Sequence, residues 1–373
     1  MSDLTQERDL ADADGVLPSE ADEAMIIVAD PDVGGVPVTR GRLYRVGGVL
    51  FALGLVVFGL AVGLSTVMMP VRLIVAVIGL MGLYMGLRRL GLARFGPDFD
   101  LTYIVSLVWL IALIVAALIA PLLPLAEHKD TVKTIGASGF QEPKLFSDHP
   151  LGTNNHGLDL LARSIYGART SLIVAVSAVA IGIIVGGALG ILAGYFRGRV
   201  EAVIGILTNT LLAVPALILL IALASVLETN LRNVSFALAL LAIPSMIRIA
   251  RANTLVFSQR EFVLAARAMG ATRWRVMIRE IAPNVALPLL SLGMVMVSVL
   301  IVAEASLSFL GLGIKPPEPT WGNMIAEGEG GQFEKHPFIV LVPGVFLFLT
   351  VFSFNIVGEK AQQATGGARE VKL

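Results

Sequence analysis

The residues with the most chemistry to offer lie in one polar stretch between two apolar runs, SQREFVLAARAMGATRWRVMIREIAPN, residues 258–284. It is too polar to cross a membrane, and its apolar residues recur at helical spacing. Ser258, followed three residues later by Glu261, reads as a capping box, and Gly270 reads as a helix stop. The spacing predicts a helix of about three turns with Phe262, Ala265, Ala266 and Met269 on one side. The paired alanines leave a shallow surface on which another protein can sit. A second short helix carries Trp274, Met277, Ile278 and Ile281 on one face and runs until Pro283. Two readings fit these residues equally: a docking hairpin for a partner protein, or an amphipathic segment resting among lipid headgroups.

Other polar groups stand inside apolar runs. Glu304 is flanked by long apolar stretches, where an ionisable group is a functional candidate by default. A path-lining acid and a structural acid bonded to backbone, Ser306 or Ser308 are both open readings. Asn209 and Asn355 either line a path or tie helices together. His128, His149, His156 and His336 share no helix at ligand spacing, so no metal site is expected. The chain has no cysteine, which excludes disulfides and thiolate chemistry. No phosphate-binding GxxxxGK[ST] loop occurs, and no nucleophile and base are paired within the apolar runs. No catalytic residue and no cofactor are therefore assigned to the chain, which is not expected to be an enzyme.

The elements that position these residues are membrane spans. Hydrophobic residues make up 56% and charged residues 15% of the 373, and the mean hydropathy is +0.82, more apolar surface than a soluble domain can cover. Runs of spanning length lie near 46–64, 67–87, 103–125, 171–196, 203–226, 234–252, 285–310 and 337–357. The second holds Arg72, which must snorkel to an interface, so 46–87 reads as two full spans, with a re-entrant hairpin as the alternative. Arginines at 40, 42 and 45, at 88, 89 and 94, at 197 and 199, and through 248–279 fall on one side of alternating spans, which predicts that both termini are cytoplasmic. Residues 1–39 hold ten Asp or Glu against Arg8 alone. Segment 1–45 therefore reads as an acidic, disordered cytoplasmic tail. Residues 46–100 form a membrane hairpin, 101–358 the main membrane domain and 359–373 a cytoplasmic tail. Gly182, Gly186, Gly190 and Gly194 leave a groove along one helix face for close packing.

Residues 261–284 resemble the cytoplasmic loop of ATP-binding-cassette importer permeases, whose pattern is Glu-Ala-Ala, three residues, Gly, then a later Pro. Ala265, Ala266, Gly270 and Pro283 stand at those positions; Leu264 replaces the Glu, with Glu261 one turn earlier. HPLGTNNHGLDLLARSIYGARTSL (149–172) and AEASLSFLGLGIKPPEPTWGNMIAEG (303–328) are similar to signature segments of dipeptide, oligopeptide and nickel permeases of the C-type subunit. The resemblance implies an all-α polytopic bundle, a six-helix type I importer core with two extra N-terminal helices, in the cytoplasmic (inner) membrane. It further implies a second homologous permease, two ATPase subunits or domains carrying ATP and Mg, and an extracytoplasmic solute-binding protein. Nucleic acid is not an expected partner. ATPase coupling would fall to Glu261, Phe262, Ala265, Ala266, Met269, Gly270 and Pro283, and the cargo would be short peptides or, alternatively, nickel or another chelated metal. From another class, a secondary transporter or channel would show broken helices with clustered charge near the bilayer midplane.

Overall fold

The structure is a computed structural model and describes residues 27–30, 36–63, 69–136, 138–144 and 147–367. Its contacts divide the chain into two units, 1–104 and 105–373. In the first, the apolar run after Arg45 forms helix α1 (Arg40–Gly63), and α2 (Met69–Phe95) returns beside it. The two backbones nearly touch. A Cβ on Gly54 would lie 2.4 Å from the Leu83 amide nitrogen, and one on Gly79 would lie 2.6 Å from that of Phe58, so only glycine fits. Gly59 and Gly63 face open space. Arg72 Nε donates to the Ala61 carbonyl at 3.2 Å, which gives the guanidinium one partner within the hairpin. Ahead of α1, strands β1 (Ile27–Asp30) and β2 (Val36–Thr39) pair antiparallel. The expected disordered tail is thus ordered near its end, where β-branched Ile27, Val28, Val36 and Val38 favour strand. Residues 1–26 lie outside the described residues.

The second unit is built on helices, with a long irregular connection between the first two of them. Helix α3 (Leu101–Ile119) enters it from the unit boundary, and α4 (Leu160–Phe196) is one continuous helix of 37 residues. Helices α5 (Gly198–Ala213) and α6 (Ala216–Val226) follow, then α7 (Leu231–Phe257) and α8 (Glu261–Ala268). Helix α9 (Arg273–Phe309) is again 37 residues long, and α10 (Trp321–Ala326) and α11 (Phe338–Gly367) complete the order. The architecture is an all-α polytopic bundle, with the β1–β2 pair its one strand ladder among the described residues. Among the described residues, seven helices are long and apolar enough to cross a membrane.

The fifth expected span, 203–226, is not a straight helix. Helices α5 and α6 meet at 90°, because Pro215 has no N–H for the ladder and forces Val214 into extended backbone (φ −86°, ψ 126°). The four glycines of α4 sit one by one against α7. A Cβ at Gly182, Gly186, Gly190 or Gly194 would come within 2.5 to 2.9 Å of the Cβ of Ala242, Met246, Ala250 or Thr254 respectively. Four-residue spacing drifts about 40° per step on an α-helix. A widened π-type stretch at Gly182–Gly186 offsets that drift and keeps the row on one face.

Pro283 does not end a helix, contrary to expectation; it lies inside α9. The preceding turns widen over Val276–Ile281, which accommodates the missing N–H and the ring. The final helix likewise runs to Gly367, past the expected boundary at 358. The connections on the far side of the bundle form a fixed cap. Asp159 accepts from the Ala162 amide at 2.7 Å to start α4 and meets His149 Nδ1 at 3.0 Å. Asn154 Oδ1 accepts from the amides of His156 and Leu158. Trp321, fully buried, donates to the Ser164 carbonyl at 3.1 Å and pins α10 to α4.

Candidate functional site

The hairpin between α7 and α9 is built from two helix ends and one turn. Gly270 has φ +84°, the Gly270 amide donates to the Arg267 carbonyl, and that of Ala271 donates to Ala266. This pair of bonds is a Schellman motif, and it fixes the angle at which α8 leaves the bundle. Thr272 then caps α9 by accepting from the Arg275 amide. The expected capping box at the other end is absent. Arg260 is the N-cap residue and makes no side-chain cap bond, while Ser258 donates back to the Leu255 carbonyl. Ser258 therefore closes α7 rather than opening α8.

Helix α8 buries Val263 and Ala266 (8% exposed) against the 276–281 turns. Glu261, Phe262, Ala265 and Met269 remain exposed. The paired alanines do not form one surface: Ala265 faces out and Ala266 faces in, because successive residues are 100° apart on the helix. Phe262, Ala265 and Met269, at spacings of three and four, make the free stripe, with Met269 82% exposed. On α9 the expected single face is also divided, Met277 and Ile281 being buried while Trp274 and Ile278 are exposed.

Substituting valine for Gly270 would meet no atom within 4 Å, so its cost comes from the left-handed backbone, about 1–2 kcal/mol. Gly270→Val is expected to insert normally while opening residues 258–283 to faster limited proteolysis.

The three polar residues within the spans separate. Glu304 is fully buried and accepts from Ser171 Oγ at 2.9 Å and Ser308 Oγ at 2.6 Å, joining α4 to α9. Ser306 bonds the Val302 carbonyl instead. Asn355 accepts from Ser298 at 3.1 Å and donates to the Val351 carbonyl, tying α11 to α9. Asn209 lines a cleft of about 500 Å³ with Glu201, Thr208, Arg248 and Arg251 and accepts from Arg248 at 3.3 Å. Glu201 pairs with Arg251 across the same cleft. In the sequence Arg248 and Arg251 are legible only as topology markers; their bonds to Asn209 and Glu201 join helices about forty to fifty residues apart and leave no signal in the spacing.

Among the histidines, His128 stacks on Tyr166 at 3.6 Å and His336 on Phe140 at 4.2 Å. Burial lowers the His128 pKa, so the ring favours its neutral form. Beside it, amide donation from Asp130, together with the Lys133 ammonium and the Lys129 amide, holds the Glu127 carboxyl at about 2, from 4.5. The folded value is depressed, so this contribution is complete above about 4.5 and lost as pH falls through 2. Hydrogen-exchange protection of the 128–130 amides, relative to the intrinsic rate at each pH, is expected to fall over that window, and Glu127→Gln to abolish the dependence.

Comparison with known proteins places this arrangement. The family described as binding-protein-dependent transport system inner membrane component matches residues 186–364. The dipeptide transport system permease protein DppC of Alkalihalophilus pseudofirmus is 33% identical over 262 residues, covering 70% of this chain and 84% of that protein. The chain belongs to this permease family. The permease is also similar to the glutathione transport system permease protein GsiD of Pectobacterium atrosepticum, with 35% identity over 58% of this chain and 72% of that protein. Against the di/tripeptide permease of Pseudomonas aeruginosa identity is 37%, over 57% and 70% respectively. A solved structure of the MetNI methionine transporter aligns with a TM-score of 0.46 and 19% identity, over 55% of this chain and 97% of that one. The permease is a multi-pass inner-membrane protein, a transport component rather than an enzyme.

Proposed function

We propose that this permease forms half of the pore of an ATP-binding-cassette importer for short peptides, the second half coming from a homologous subunit. The observation that carries the cargo class is the set of relatives, named for dipeptide, di/tripeptide and glutathione transport, the last itself a tripeptide. It favours peptides over nickel. ATP and Mg belong, in this reading, to two separate ATPase subunits, and a solute-binding protein delivers cargo from outside.

The hairpin supports the docking reading over the headgroup one. Its free stripe of Phe262, Ala265 and Met269 stands on a helix braced by Val263 and Ala266, and α9 runs from the hairpin through the membrane without a break. A push on α8 is then transmitted along rigid helices into alternating access. The break at Val214-Pro215 supports a path beside α5 and α6. Pro215 has no N–H to give to the ladder, and such interrupted backbone is tolerated at membrane depth only against protein or water. In this reading Asn209 faces the path, whereas Glu304 and Asn355 hold helices together. The break differs from a secondary transporter's broken helices, because residues 210–217 around it hold no charge and the Glu201–Arg251 pair lies at the start of α5 instead.

Both termini, residues 88–102 and residues 248–283 are placed in the cytoplasm, and 127–168 and 313–336 outside, by the arginine bias. Single cysteines in this cysteine-free chain test the placement. An impermeant thiol reagent should label position 330 but not position 267 in intact cells. The import reading itself is tested by purifying the tagged chain from its own cells: ATPases and a second permease should come with it, and isolation of the chain alone under mild detergent would count against the assembly.

A further inference from the structure

Beside the docking stripe, and separate from it, lies a cleft of about 440 Å³ lined by Tyr195, Phe196, Arg267, Ala271 and Arg273. Its place relative to the bilayer follows from α4. The apolar run 171–196 measures about 39 Å at 1.5 Å per residue, enough to span the hydrocarbon and reach the headgroups. It ends at Phe196, immediately before Arg197 and Arg199. Phe196 meets Trp274 at 5.7 Å between ring centroids and Tyr195 at 5.3 Å. That aromatic cluster is what a chain places at headgroup level.

The charge is just as specific. Arg267 lies over the Tyr195 ring at 5.3 Å, which orients the guanidinium while leaving its edge N–H groups free to donate. Arg273 opens α9 on the other side of the Gly270 turn. Among the described residues neither is paired with a carboxylate, in contrast to Arg251 with Glu201 and Arg163 with Glu327. Two guanidinium groups converging on a cleft at headgroup depth have the chemistry of a phosphate site.

We propose that the cleft binds the phosphate of an anionic phospholipid headgroup, which bridges the end of α4 to the hairpin turn through Arg267 and Arg273. A bound lipid would then brace the hairpin from the side opposite its free stripe. A soluble phosphate and an acidic side chain of a partner are the competing occupants.

The test uses the full chain in phosphatidylcholine nanodiscs, with phosphatidylglycerol titrated in and retained lipid counted by native mass spectrometry. One phosphatidylglycerol should be retained by the wild type. Its affinity should fall about tenfold to thirtyfold in Arg267→Gln/Arg273→Gln, and recover in the double lysine variant. Arg199→Gln, outside the cleft, should behave as wild type. Equal retention by the double glutamine variant would overturn the site. Inorganic phosphate displacing the lipid at millimolar concentration would assign the cleft to a soluble anion instead. Cross-linking from position 271 to a partner protein, with no retained lipid, would assign it to an acidic side chain. The lipid-retention arms read lipid on this chain alone, so their failure leaves the importer reading untouched.

Discussion

Ala265→Glu is expected to leave the chain inserted and folded while cutting ATP-driven uptake and ATPase association at least about tenfold. Ala265 is exposed at the centre of the Phe262, Ala265, Met269 stripe, so the free chain tolerates a carboxylate there. A docked partner would not, because a charge closed into an apolar contact loses its water without gaining a partner, and about 1.4 kcal/mol suffices for tenfold. Ala266→Glu makes the contrast. Ala266 is buried against the α9 turns, so that variant should lose hairpin structure first and coupling as a consequence. Proteolysis of 258–283 separates the two: unchanged in Ala265→Glu, accelerated in Ala266→Glu. Full uptake and full ATPase association in Ala265→Glu would mean that the stripe contacts no partner.

Glu327→Ala is expected to be the most destabilising single change in the outer cap, by about 3–5 kcal/mol. Arg163 is 3% exposed at the first turn of α4 and pairs with Glu327, which also accepts from Asn154 Nδ2 at 3.0 Å. Removing the acid leaves a buried guanidinium whose Nε already lacks a partner, with only a long bond to the His128 carbonyl remaining. Thermal unfolding in detergent should show the loss. Replacing both residues by apolar ones of similar size, Arg163→Met with Glu327→Leu, should recover most of it, since the burial penalty then disappears with the charge. If Glu327→Ala unfolds at the wild-type temperature, water already reaches Arg163.

Much of this was legible in the sequence because lipid imposes a coarse and strict pattern. Apolar run length marked the spans, and the four-residue glycine spacing of α4 announced a close helix neighbour, found as α7. Gly270 was readable because positive φ is nearly reserved for glycine at a helix end. What was not legible depends on partners distant in sequence or on local backbone adjustment. Arg163 and Glu327 are 164 residues apart, with no periodicity to link them. The division of Ala265 from Ala266 depends on the rotation of α8 about its axis, which packing against the widened 276–281 turns decides. Ser258 and Glu261 fitted a capping box by spacing, but Ser258 belongs to the end of the preceding helix. Pro215 and Pro283 look alike in sequence. One breaks its helix by 90°, while the other is absorbed by a π-type stretch immediately before it.

The expectation is that this chain moves peptides only when ATPases act on its hairpin. It is tested most directly by reconstituting the purified complex in liposomes with its solute-binding protein and a radiolabelled dipeptide. Uptake should require ATP and the binding protein, persist when ion gradients are collapsed, and be lost in Ala265→Glu. Uptake that proceeds without ATP and follows an imposed proton or sodium gradient would contradict it.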